Sequence, residues 1–167
     1  HYPDIITGWN TEFFDIPYIC NRIVSLFGED ELKRLSPWGS VREREVYQLG
    51  RRQQAYDIAG IASLDFMALY RKFTYTAQES YALNHIATVE LGEQKDGNPF
   101  ETFSEWYQKD WQSFIEYNIQ DVEIVDRLED KMRLVELCLT MAYDAKVNYI
   151  DVLGSVKYWD ILIYNYL

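Results

Sequence analysis

The sequence has little cysteine and little basic charge, and it lacks both linkers and long apolar runs. Its two cysteines, Cys20 and Cys138, each lie in an apolar stretch with neither a CxxC partner nor a nearby histidine, so nothing around them suggests a zinc site and buried free thiols are expected. No apolar run is long enough to cross a bilayer and no signal-peptide pattern opens the chain, which sets the expectation of a reducing, cytosolic compartment. No Gly/Ser-rich or Pro-rich stretch divides the sequence, and no internal repeat or low-complexity tract is visible. Sixteen basic against twenty-seven acidic residues give a formal charge of −11, which argues against a domain that grips a nucleic-acid backbone by counterion release alone. A metal-dependent phosphodiesterase is not excluded, because clustered carboxylates that recruit divalent cations are what such chemistry needs.

What is present is ample apolar and aromatic material. Of 167 residues, 48% are hydrophobic and 16% aromatic, enough for one packed domain. His1-Tyr2-Pro3 runs almost directly into the apolar Ile5-Ile6-Thr7, which reads as a buried strand from Ile5 to Trp9. A domain rarely begins on its core strand, so the sequence is expected to be an excerpt of a longer chain. Pro17 to Phe27 reads as a helix, with Pro17 in the first turn and Gly28 as its C-terminal cap. Glu43–Leu49 and Gln53–Ala59 read as two strands of a hairpin whose turn holds Gly50-Arg51-Arg52.

Ser63 to Phe73 and Ser80 to Leu91 carry apolar residues at helical spacing, with Ser63 and Ser80 as expected N-caps, and Gly92 to Pro99 reads as a loop. From Thr102 to Tyr143 the pattern is helical for so long that a break is expected near Trp111. The segment from Asn148 to Leu167 reads as an incomplete element.

On a helical wheel of about 100° per residue, Trp111, Phe114, Val125, Leu128, Met132 and Leu139 share one arc, and Asp121 falls inside it. A carboxylate among core-facing residues costs several kcal/mol unless it is paired, hydrogen-bonded or metal-bound. Two readings stand: Asp121 pairs with a buried Arg or caps a neighbouring element, or it ligates a metal with Tyr117, one turn earlier, orienting a water. Asp15 has two readings as well. It stands where a cap or a helix-dipole partner is common, and Asn10 can simply end the strand.

Taken together, Asn10-Thr11-Glu12-Phe13-Phe14-Asp15-Ile16-Pro17-Tyr18 and Tyr117-Asn118-Ile119-Gln120-Asp121 resemble the second and third exonuclease motifs of family B DNA polymerases, N-x-x-x-F-D and Y-x-x-x-D. The surrounding text resembles the T-even-like phage branch: Pro3-Asp4-Ile5-Ile6-Thr7-Gly8-Trp9-Asn10, Phe27-Gly28-Glu29-Asp30-Glu31-Leu32, Ser63-Leu64-Asp65, Leu69-Tyr70-Arg71-Lys72-Phe73 and Lys157-Tyr158-Trp159-Asp160.

The resemblance implies an α/β fold: an incomplete ribonuclease H-like exonuclease domain with an inserted β-hairpin and a long C-terminal helix. Residues 1–145 would form its C-terminal part and residues 146–167 the start of the link toward the palm. It further implies a site in which four carboxylates hold two Mg²⁺ or Mn²⁺ ions around a single-stranded DNA 3′ end. Carried onto this sequence, Asp15 and Asp121 are metal ligands and Tyr117 orients the attacking water. Asn10 and Phe14 shape the pocket for the terminal nucleotide. Arg51 and Arg52, with Lys95 in the loop before the long helix, are candidates for phosphate contact. The implied setting is phage replication in the cytoplasm of a bacterial host.

The D-x-E of the first exonuclease motif is absent. The one D-x-E present, Asp121-Val122-Glu123, places its carboxylates about 200° apart on a helix rather than on one face of a strand. The polymerase motifs D-x-x-S-L-Y-P, K-x-x-x-N-S-x-Y-G and D-T-D-S are absent as well. The expectation is a proofreading half-site that needs an upstream segment and is inactive alone. The alternative is a non-catalytic scaffold or split-gene segment that docks with a partner chain through the edge of Ile5–Thr7.

Overall fold

The computed structural model describes residues 1–48, 50–93 and 100–167. It is a mixed α/β structure with two small sheets and many helices, and it divides into two compact units, residues 1–75 with 134–167, and residues 76–133.

In the first unit, strand β1 (Ile5–Gly8) leads through a tight loop into helix α1 (Asp15–Phe27). Pro17 fits the first turn of α1, where its missing N–H removes no intrahelical bond. Ile16, Pro17 and Cys20 form the buried face of that helix. Gly28, at φ 89°, ends it as expected, its amide donating to the Val24 carbonyl at 3.0 Å. A short helix, α2 (Glu29–Leu32), and a 3₁₀ turn (Lys33–Leu35) lead to an antiparallel pair, β2 (Val41–Gln48) and β3 (Arg51–Ile58). The base of this pair is anchored by Tyr56, which packs with Ile16 and Cys20 of α1, while Val41 and Ile58 close over the same cluster. The far end is solvated: Tyr47, Arg51 and Arg52 are exposed.

The chain then returns as β4 (Ala62–Asp65), a parallel neighbour of β1 in the register Ile5↔Ala62 to Gly8↔Asp65. Only at Phe66 does helix α3 (Phe66–Phe73) begin. This corrects the expected helix start at Ser63: Ser63 is a strand residue, and Asp65 is the cap, accepting from the amides of Met67 and Ala68. Phe66, Leu69 and Tyr70 are fully buried, and Trp9 lies against the rings of Phe66 and Tyr70 at 6.2 and 6.1 Å. Burial of each such side chain contributes about 1.5–3 kcal/mol, so these residues fix the floor on which the β1–α1 loop rests.

In the second unit, helix α4 (Leu83–Leu91) is preceded by Ala82 as N-cap residue, with the Ser80 hydroxyl accepting from the Ala82 amide, so the helix begins later than the expected Ser80 cap. It ends at Gly92 in the left-handed conformation. Helix α5 (Phe103–Lys109) is capped by Thr102, which accepts from the Glu105 amide at 3.1 Å. Asp110 leaves helical geometry and caps helix α6 (Trp111–Met132) through the Ser113 amide at 3.2 Å. The expected break near Trp111 is therefore present. Helix α4 packs on α6, with Ile86 and Ala87 buried on one and Ile124, Val125 and Leu128 on the other.

A second break, which the sequence pattern did not announce, falls at Arg133 (φ 53°). Helix α7 (Leu134–Ala145) follows and belongs to the first unit, where it packs on α3. The expected long helix is thus three helices, and the wheel drawn from Trp111 to Leu139 does not describe one continuous face. A 3₁₀ segment (Tyr149–Leu153) and helix α8 (Ser155–Tyr166) form the C-terminal region. The Asn165 side chain donates to the Ala145 carbonyl, tying α8 to the end of α7. Cys20 and Cys138 are both buried free thiols, as expected. Among the described residues, no helix is long and apolar enough to cross a membrane.

Candidate active site

The loop from Trp9 to Phe14 is held by backbone geometry and by several hydrogen bonds. A Cβ at Gly8 would run into the Thr11 Cγ2 methyl, so the strand exit requires glycine. Asn10 sits at φ 61°, a left-handed conformation that Asn tolerates better than most residues. Its carbonyl accepts from the Phe14 amide at 3.1 Å, and the Thr11 carbonyl accepts from the Ile16 amide at 3.0 Å. These two bonds turn the chain directly into α1, so Asp15 becomes its first helical residue, with an exposed side chain. Phe14 is also exposed, at 67%.

Beneath this loop lies Asp65, 3% exposed, a residue that sequence reasoning did not single out. Its Oδ1 accepts from the Asn10 amide at 3.2 Å and its Oδ2 from the Glu12 amide at 3.1 Å. Burial pushes the Asp65 carboxyl above the ordinary carboxylate range, while the amides of Glu12, Ala68, Asn10 and Met67 pull it back down. The Asp15 carboxyl is also raised, first by partial burial and further by the charge of Asp65, with its own backbone amide opposing. The loop is held from a second side by Arg44 of β2, which pairs with Glu12 and, at 2.8 Å, with Asp57. The available sequence signal for Asp65 was its position one residue before the apolar Phe66, a common N-cap arrangement.

Tyr117 and Asp121 belong to the second unit, on successive turns of α6. The Tyr117 ring is held by the indole of Trp106, 4.8 Å away and edge-on, and by Phe103 at 6.1 Å. Trp106 is itself fixed by a hydrogen bond from its indole N–H to Ser113 Oγ at 2.6 Å. Asp121 is half-buried and one turn before the buried Ile124 and Val125, so it lies at the margin of the core face. The apolar arc on which the sequence placed Asp121 is buried only in part: Trp111, at its start, is 60% exposed, whereas the buried residues of α6 are Ile124, Val125 and Leu128.

Arg51 and Arg52 are the first residues of β3 and not a turn tip, paired in register with Gln48 and Tyr47. Arg52 also forms an exposed ion pair with Glu45. Lys95 lies outside the described residues. Among the described residues, no group of three or more His, Cys, Asp or Glu side chains gathers as a metal site.

Comparison with known proteins gives these residues a context. The family described as DNA polymerase family B, exonuclease domain, matches residues 1–86. The DNA-directed DNA polymerase of Escherichia phage RB69 is 40% identical over 167 residues, and that of Enterobacteria phage T4 is 36% identical over 166. Both alignments cover 99% of this chain and 18% of the relative, so the chain spans less than a fifth of either polymerase. The DNA polymerase delta catalytic subunit of Caenorhabditis elegans is 32% identical over 149 residues, covering 84% of this chain and 14% of the relative.

Proposed function

Since this chain belongs to the exonuclease-domain family of family B DNA polymerases, we propose that it contributes part of a 3′-to-5′ proofreading site acting on single-stranded DNA ends during phage replication in a bacterial host. The observation that carries the reading is the presentation of Asp15. A tight loop delivers it to the solvent-facing start of α1, and partial burial, with the charge of Asp65 adding to it, disfavours its ionised form, as a bound cation would relieve.

Exonuclease domains of this kind are generally divalent-metal dependent. The donor types suit Mg²⁺ or Mn²⁺, which prefer hard carboxylate oxygens. Asp15 and Asp121 are the residues that would hold the ions, and two carboxylates leave the set incomplete. The chemistry supplied with the ions bound is acidification of the attacking water and neutralisation of charge on the leaving oxygen.

The chain's own residues have distinct tasks in this reading. Tyr117, with its ring clamped by Trp106, presents its hydroxyl to orient water. Phe14 offers an exposed ring for stacking on the terminal base, and Asn10 shapes the same pocket. Arg51 and Arg52 lie on the solvated end of the β2–β3 pair and suit phosphate contact. The Arg52–Glu45 pair is exposed, worth at most about 1 kcal/mol, and so is readily exchanged for a phosphate. In the same reading, residues 1–145 are the C-terminal part of the exonuclease domain and residues 146–167 begin the link toward the palm.

The test is Mg²⁺-dependent shortening of a 3′-labelled single-stranded oligonucleotide. The chain alone is expected to be inactive, and the chain joined to the upstream coding segment carrying D-x-E is expected to be active. Survival of that restored activity in Asp15→Ala and Asp121→Ala would refute the assignment.

A further inference from the structure

Asp65 does more than a helix cap requires. Capping of α3 is carried by one oxygen, Oδ1, which accepts from Met67 at 2.9 Å and Ala68 at 3.3 Å. Asn or Ser caps a helix about as well as Asp. Neither would bring a carboxylate into a 3%-exposed position, where burial disfavours its charge. The second oxygen is used elsewhere: Oδ2 accepts from the Glu12 amide, and Oδ1 also reaches the Asn10 amide.

The parallel pairing explains the reach. Gly8 and Asp65 are register partners at the ends of β1 and β4, so the loop leaving β1 passes directly over the Asp65 carboxylate. The next bonds along that loop, Asn10 carbonyl to Phe14 amide and Thr11 carbonyl to Ile16 amide, bracket Asp15. Four amides converging on a buried carboxylate form charge-assisted hydrogen bonds, a rigid connection between the end of the sheet and the start of α1.

We propose that Asp65 is a positioning residue of the nuclease site, whose Oδ2 bond to the Glu12 amide fixes the loop that places Asp15. This rests on the reading of Asp15 given above. Asp65→Asn separates the two roles. One oxygen remains for Met67, Ala68 and Asn10, while an NH₂ replaces the acceptor that faces Glu12.

Two measurements test the proposal. By NMR hydrogen exchange on the 167-residue chain, the Glu12 amide is expected to be protected and to exchange at least about tenfold faster in Asp65→Asn, with Met67 and Ala68 unchanged. An unprotected Glu12 amide in the unaltered chain overturns the proposal without reference to any variant's folding. So does an unchanged Glu12 rate in Asp65→Asn.

In the chain joined to its upstream segment, Asp65→Asn is expected to lower kcat at least about tenfold and to raise the Mn²⁺ concentration for half-maximal activity severalfold. KM for the oligonucleotide is expected to stay within about twofold. Asp15→Ala serves as the control. If it is inactive while Asp65→Asn behaves like the unaltered protein, the positioning role alone is refuted. If Asp15→Ala is active, the site assignment itself fails.

Discussion

The clamp on Tyr117 lends itself to a quantitative test. Trp106 is 4% exposed and touches four rings, Phe100, Phe103, Phe114 and Tyr117, with centroid separations of 6.2, 6.3, 5.8 and 4.8 Å. The shortest of these is to Tyr117, at an interplanar angle of 63°. An edge-on pair of this kind contributes about 0.5–1.5 kcal/mol beyond its buried area.

Replacing Trp106 with Leu removes all four ring contacts and the bond to Ser113. The expected loss is about 2–4 kcal/mol, below the range for truncation to Ala because Leu refills part of the space. The Ser113 hydroxyl keeps the Asp110 carbonyl at 3.3 Å as a partner, so no orphaned group adds to the loss. Tyr117→Leu, at a half-buried position, is expected to be milder. In a double-mutant cycle, urea unfolding followed by circular dichroism should give a coupling of about 1 kcal/mol between the two positions. A coupling below about 0.3 kcal/mol would show that Trp106 and Tyr117 are neighbours and that Trp106 does not hold the Tyr117 ring.

Three further outcomes follow from buried and crowded ionisable groups. Burial pushes the thiols of Cys20 and Cys138 up to about 11 from an ordinary value of 9.0. Because the folded values are raised, the stability they contribute is fully present below pH 9 and is lost as pH rises through 11, so a Cys20→Ala, Cys138→Ala chain should show a shallower loss of stability across that window. Native-state alkylation at pH 8 should likewise be far slower than in urea. Asp15 also has a raised folded value, so its contribution is present below the ordinary Asp range and lost as pH rises through the raised one. Asp15→Asn should therefore raise the melting temperature at neutral pH in the absence of divalent ions, and the gain should vanish in acid. A lower melting temperature at neutral pH would contradict the penalty that partial burial and, secondarily, the charge of Asp65 place on ionised Asp15.

Local chemistry made much of the fold legible. Pro17 and Gly28 mark the first turn and the end of α1, and the apolar run at Ile5 marks β1, because these signals act within a few residues. The antiparallel pair was legible for the same reason, although its ends were not: Arg51 and Arg52 are strand residues because Gln48 and Tyr47 face them. Helix α3 was visible, but its start was misplaced by a strand. Ala62–Asp65 is extended because β1 lies beside it, and a parallel partner more than fifty residues away leaves no periodic trace in four residues. Arg133 breaks the helical run without glycine or proline.

The sequence by itself determined the family and carried the two motifs from which Asp15, Tyr117 and Asp121 are proposed as site residues. Those are matters of residue type and spacing, which the chain carries in one dimension. Tertiary structure alone decided that Asp65 is buried under the Asp15 loop, that Arg44 holds Glu12, and that Trp106 grips Tyr117. Each of these depends on which distant segments share a sheet edge or a helix face, and on the burial that turns an ordinary carboxylate or indole into a fixed support.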